Sequence, residues 1–96
     1  MGRVRSFDAL MIGGSGDFYV SQRNMSHLDA SLGFLGEVCG EGLPLFASCF
    51  GYQCLVEALG GEIIHDPDNT EVGTYEVSLT EEGCADELFG QLPSTF

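Results

Sequence analysis

A continuous apolar run, Pro44-Leu45-Phe46-Ala47, passes through Ser48 and Cys49 straight into Phe50-Gly51-Tyr52-Gln53-Cys54-Leu55-Val56-Glu57-Ala58-Leu59, a helical pattern closed by Gly60-Gly61. A strand that is apolar at every position is the kind buried on both faces of a parallel sheet. A helix that begins with no linking loop must turn sharply away from the end of that strand. The junction therefore calls for an α/β fold, with Cys49 on the turn.

The rest of the chain agrees with that architecture. Phe7-Asp8-Ala9-Leu10-Met11-Ile12 is a short apolar run ending at Gly13-Gly14-Ser15-Gly16, a strand followed by a glycine-rich turn. From Ser26 to about Val38, apolar residues at Leu28, Leu32, Leu35 and Val38 recur every three or four positions. That spacing predicts an amphipathic helix, with Ser26 as its N-cap and Gly40 as its stop. Glu62-Ile63-Ile64-His65 reads as a short third strand, and Asp66-Pro67-Asp68-Asn69 as a turn. Tyr75, Val77 and Leu79 alternate within Thr74 to Thr80, as on a half-exposed strand, and Asp86 to Leu92 suits one or two helical turns before Pro93. The order β-α-β-α-β-β-α predicts an open, mostly parallel sheet covered by helices.

Composition narrows the function classes. Ninety-six residues with 44% hydrophobic content make one small ordered domain. Folding a chain of that size buries roughly 60–65% of its extended surface. Fifteen acids stand against three arginines and no lysine, a net charge of −12. Nucleic acid binding, which rests on Lys and Arg neutralising phosphates, is disfavoured, and so is an anionic membrane surface. The acids read as a solvated face that keeps the protein soluble, or as an adaptation to high salt. No apolar run reaches the roughly 18–20 residues of a membrane span. Residues 1–8 lack the apolar stretch of a secretory leader, so a cytoplasmic location is expected. In that compartment Cys39, Cys49, Cys54 and Cys84 stay reduced, and their spacing contains no usual zinc pair. Neither a metal nor another cofactor is expected. Cys39, Cys54 and Cys84 read as small apolar fillers.

Cys49 reads differently. A nucleophile at such a junction stands at the carboxyl end of the sheet, where open α/β folds bind ligands. The tight turn needs small neighbours, and Ala47 lies two residues before Cys49 and Gly51 two after. The positive end of the following helix favours a thiolate there. The backbone N–H of Phe50 faces the place where an oxyanion develops, and a second N–H from the turn at residues 13–16 would complete the hole. One such donor is worth about 3–4 kcal/mol in comparable sites. A buried, inert strand cysteine and an ordinary glycine turn are the bland alternatives to this reading.

The run from Pro44 to Ile63 resembles the signature of the class I, triad-type glutamine amidotransferases. Their elbow reads as proline, a short apolar strand, G-x-C-x-G-x-Q, and a helix ending in A-L-G-G. Cys49, Gly51, Gln53 and Ala58-Leu59-Gly60-Gly61 coincide with it. Asp8 to Gly14 before the elbow fit as well, as do Glu71-Val72-Gly73, Val77 to Thr80 and Asp86 to Pro93 after it. Gly13-Gly14-Ser15-Gly16, where many members have Gly-Gly-Pro, is similar to stand-alone members related to the amidotransferase domain of GMP synthase. The resemblance implies a flavodoxin-like, doubly wound α/β fold, of which residues 1–96 would be a single partial domain. It implies that Cys49 attacks the side-chain amide of glutamine and releases ammonia through a γ-glutamyl thioester. Gly14 and Phe50 would supply the oxyanion hole, Gln53 would help hold the substrate, and Ala47 and Gly51 would form the elbow. Ala47 departs from the family, which usually has glycine there.

The family's activating histidine and its orienting acid lie on an H-x-E-like motif well beyond the elbow, and this chain carries no such motif before Phe96. His65 followed by Asp66, and His27, read as surface residues. The first strand of the family fold, upstream of Asp8, is expected to be short or absent. The expectation is an incomplete amidotransferase domain with little or no glutaminase activity of its own. A synthetase partner that takes the ammonia is left open. Two alternatives stand beside it: a non-catalytic amidotransferase-like module that binds or regulates, and another cysteine-elbow hydrolase of small amides.

Overall fold

The protein is described here as a computed structural model, covering residues 2–16, 20 and 26–96. It divides into two compact units, Met1–Asp66 and Pro67–Phe96.

In the first unit, β1 (Leu10–Ile12) and β2 (Leu45–Ala47) pair in parallel, with Leu10 opposite Leu45, Met11 opposite Phe46 and Ile12 opposite Ala47. Parallel neighbours require a crossover, and α1 (Leu28–Gly40) supplies it. α2 (Phe50–Ala58) follows β2 after two residues. The two helices pack on each other, and α2 packs on both strands. Leu10, Ile12 and Leu45 lie against a core of Val20, Leu28, Leu35 and Cys54. Met11 alternates to the other face and is 76% exposed.

The apolar stripe of α1 is the expected one: Leu28, Leu35 and Val38 are buried and Leu32 is half-buried. Its ends differ from expectation. The N-cap is His27, in the left-handed region at φ 66°, and not Ser26; its carbonyl accepts from both the N–H and the hydroxyl of Ser31. Gly40 stays helical, and the chain leaves the helix at Gly42, whose φ is +74°. One side of α2 is built from small residues: Gly51 and Cys54 are buried and Ala58 is half-buried against the core. The helix ends as the glycine pair requires. The Gly60 N–H donates to the Glu57 carbonyl and the Gly61 N–H to the Val56 carbonyl, with Gly60 at φ +90°. This is the Schellman arrangement, which satisfies carbonyls that have no helical partner.

Two expected strands are not formed among the described residues. Glu62 to His65 has no ladder; Ile63 packs against the core while Ile64 is 69% exposed. A strand exists only with a partner to satisfy its N–H and C=O groups, and apolar sequence alone supplies none.

In the second unit, Thr74 to Thr80 contributes one antiparallel bridge, Ser78 to Thr95, rather than a strand. Val77 and Phe96 exchange two backbone bonds, and the Leu79 N–H donates to the Ser94 carbonyl. The turn at Pro67–Asn69 is a single 3-10 turn. The expected helix of residues 86–92 is only a 3-10 turn, Phe89–Gln91, and a short helix not expected from the sequence, α3 (Glu81–Ala85), precedes it. Its signal was local: Thr80 caps it by accepting from the Gly83 N–H at 3.1 Å, and Glu81 and Glu82 fill its first turn.

Candidate functional site

All the candidate site residues but Gln53 sit at or beside the carboxyl ends of β1 and β2. Ala47 is the last residue of β2, Ser48 follows, and Cys49 is the N-cap of α2, exposed to solvent. Its backbone angles, φ 52° and ψ −115°, belong to a region that side-chain-bearing residues seldom occupy. A strained turn that lifts a nucleophile off the end of a strand is the geometry of a nucleophile elbow.

The residues around Cys49 enforce that turn. The Ser48 N–H donates to the Ile12 carbonyl at 2.9 Å, which extends the parallel pairing to the residue just before the cysteine. The Gly51 N–H donates to the Gly13 carbonyl at 3.1 Å and to the Ser48 carbonyl at 3.0 Å. The Cys49 carbonyl accepts from the Gln53 N–H at 3.0 Å, opening the helix. The contact at Gly51 is closer still. A Cβ there would lie 2.5 Å from the Ile12 carbonyl oxygen and 2.6 Å from its Cγ2, so no larger residue fits without moving the elbow.

The glycine-rich turn meets the thiol. A Cβ on Gly14 would stand 3.5 Å from Cys49 Cβ and 3.8 Å from its Sγ. The glycine thus leaves open the space directly beside the sulfur. Phe50 occupies the first position of α2, where a backbone N–H has no partner within the helix. Gln53, half-buried, lies four residues from Cys49, on the same side of the helix. The structure therefore gathers Cys49, Gly14, Phe50, Ala47 and Gly51 at one end of the sheet, with Gln53 one turn along α2.

Ile12 is a further contributor: the last residue of β1, it has no local signal beyond its place in an apolar strand, and its carbonyl and Cγ2 become part of the elbow only through tertiary contact.

The other cysteines separate by environment. All four are free thiols. Cys54 is buried, and that burial, with Glu57 adding to it, pushes its thiol pKa up. Cys39 is half-buried. Cys84 is exposed on α3 and is not the apolar filler its sequence suggested, because five helical residues are too few to cover it. His27 and His65 are both exposed. A recess of about 260 Å³, lined by Arg5, Glu41, Gly42, Leu43 and Pro44, lies at the opposite end of β2 from Cys49. Arg5 makes a two-pronged ion pair with Glu41 there, which lowers the carboxylate pKa and raises that of the guanidinium. No helix among the described residues is long and apolar enough to cross a membrane.

Comparison with known proteins gives this geometry a family. Residues 5–96 match the family described as Glutamine amidotransferase class-I. Over 57 residues, 59% of this chain, it is 37% identical to the proteins described as anthranilate synthase beta subunit 2, chloroplastic, and beta subunit 1, chloroplastic, of Oryza sativa subsp. japonica. It is 29% identical over 70 residues, 73% of this chain, to the GMP synthase [glutamine-hydrolyzing] of Lacticaseibacillus casei (strain BL23). These alignments take in 21% and 20% of the two rice proteins and 13% of the bacterial one, so the chain matches about a fifth or less of each relative's length. No solved structure matches. With the family match running from residue 5 to the last residue, the chain belongs to the class I glutamine amidotransferases.

Proposed function

We propose that the chain carries the nucleophile half of a glutaminase centre. The Cys49 sulfur attacks the side-chain amide carbon of glutamine, forming a C–S bond. The tetrahedral oxyanion is held by the N–H groups of Gly14 and Phe50. Collapse breaks the C–N bond, the nitrogen leaves as ammonia after taking up a proton, and a γ-glutamyl thioester remains. Water then cleaves the thioester to glutamate and returns the thiol. Gln53 helps hold the glutamine, and Ala47 and Gly51 keep the elbow tight.

One observation carries this reading: the φ of +52° at Cys49, on a junction braced by Ile12 and Gly13 and open toward Gly14. Membership of the family supports it, and one relative's name includes "glutamine-hydrolyzing". Within that reading, β1 and β2 are neighbouring strands of an open, doubly wound, flavodoxin-like sheet. The activating histidine and acid of such a centre would come from elsewhere in that sheet's domain, beyond the elbow described by these residues. The acceptor of the ammonia is a synthase partner, as the words "beta subunit" suggest for the rice relatives.

The test is a glutamine analogue bearing an electrophile in place of the amide, with adducts mapped by mass spectrometry on all four cysteines. The expected adduct falls on Cys49 at least tenfold faster than on Cys84, which is also exposed. Equal rates at the two would overturn the reading. Labelling of Cys49 by a plain alkylating reagent but not by the glutamine analogue would favour another cysteine-elbow hydrolase.

A further inference from the structure

We propose that Ile12 is a positioning residue for Cys49, holding the thiol's backbone in its strained conformation through a β-branched contact beneath the elbow. The inference rests on the reading of Cys49 as the acyl-accepting thiol. Ile12 touches the elbow on both sides of the cysteine. Its carbonyl accepts the N–H of Ser48, the residue before. Its carbonyl oxygen, Cγ2 and Cβ crowd Gly51, two residues after, at 2.5, 2.6 and 2.8 Å from where a Cβ would stand. No other residue comes within 4 Å of that position as closely as Ile12.

A residue at φ +52° stays there only while its surroundings leave no relaxed alternative. Relaxation of Cys49 toward negative φ requires Ser48 or Gly51 to move. The Ile12 carbonyl restrains the first and the Cγ2 methyl blocks the second. The carbonyl is common to any residue at this position, but the methyl is not. Cγ2 exists only in β-branched side chains, and those are stiff at χ1, so the wedge does not swing aside. Leucine has the same volume as isoleucine, yet its branch lies one carbon further out and leaves the space above Gly51 unfilled.

This requirement separates from stability. Ile12→Leu conserves apolar volume, a swap that cores tolerate well, but loses Cγ2. Ile12→Thr keeps the methyl at Cγ2 while placing a hydroxyl in the core, which weakens the fold. Ile12→Val keeps the methyl and most of the burial. The readout is the alkylation rate of Cys49 divided by that of Cys84 in the same chain, taken with the denaturant midpoint of each variant. The expected result is a ratio within twofold of wild type for Ile12→Val and Ile12→Thr, and about tenfold lower for Ile12→Leu. A ratio that instead follows the unfolding midpoint, low in Ile12→Thr and retained in Ile12→Leu, overturns the proposal. Should Ile12→Leu fail to fold, Ile12→Thr decides alone: a retained ratio at reduced stability supports the wedge, and a lost ratio refutes it. Failure of the underlying reading shows separately, as equal rates for Cys49 and Cys84 in the wild-type chain.

Discussion

Cys49 and Gly51 divide the work of the elbow between strain and space. Cys49 carries the unfavourable backbone, and Gly51 allows α2 to approach β1 so closely that a Cβ at Gly51 would lie 2.5 Å from the Ile12 carbonyl oxygen. A non-glycine residue in a sparsely populated backbone region costs about 1–3 kcal/mol. Glycine removes most of that cost and returns roughly 0.5–1 kcal/mol of it as extra freedom in the unfolded chain. Cys49→Gly is therefore expected to stabilise the chain by about 1 kcal/mol, seen as a higher urea midpoint at unchanged slope. A lower midpoint would mean that the turn at Cys49 is unstrained. Stabilisation by removal of a strained side-chain-bearing residue is the pattern expected where stability has been given up for a special backbone geometry.

At the level of elements, the pattern of apolar residues sufficed wherever a helix could be identified from its own stripe. Leu28, Leu32, Leu35 and Val38 located α1, and Gly60-Gly61 located the end of α2. The second unit was harder to read because its elements are held by caps rather than by a buried face. No residue in Pro67–Phe96 is buried. The Phe89–Gln91 turn depends on Asp86, whose Oδ1 accepts from the N–H groups of Leu88 at 2.8 Å and Phe89 at 2.9 Å. Those two bonds hold the carboxyl pKa below its ordinary value of 3.8. A depressed carboxylate contributes stability that is present above the ordinary value and is lost as pH falls through the lowered one. The amide resonances of Leu88 and Phe89 should accordingly shift together on acidification below about pH 4, with an acid midpoint below the carboxyl's ordinary value. An Asp86→Asn chain should show no such step; a step that survives the substitution would assign the titration to another group.

Over the whole molecule, charge is the dominant long-range term. With a net charge of −12 and three arginines, the folded chain repels itself. Its Arg5–Glu41 pair is exposed, and such pairs contribute little. Screening thus removes more repulsion than attraction. Raising sodium chloride from about 20 mM to 0.5 M, which shortens the screening length to a few ångströms, should raise the thermal midpoint by several degrees. A fall would mean that attractive pairs, and not repulsion, govern the folded state.

The chain's own residues, read in order, predict the parallel pairing of β1 with β2, the amphipathic α1 and the tight turn at Cys49 between β2 and α2. All of these are encoded locally, in runs of apolar residues, glycine pairs and a motif with fixed spacing. Three things were decided only in three dimensions. Glu62–His65 did not become a strand, because a ladder needs a partner that a sequence segment cannot supply. Cys84 was left exposed because α3 is too short to cover it. Ile12 joined the elbow because parallel pairing with Ala47 brings the end of β1 under Gly51, a contact between residues 39 apart in sequence that no local pattern records.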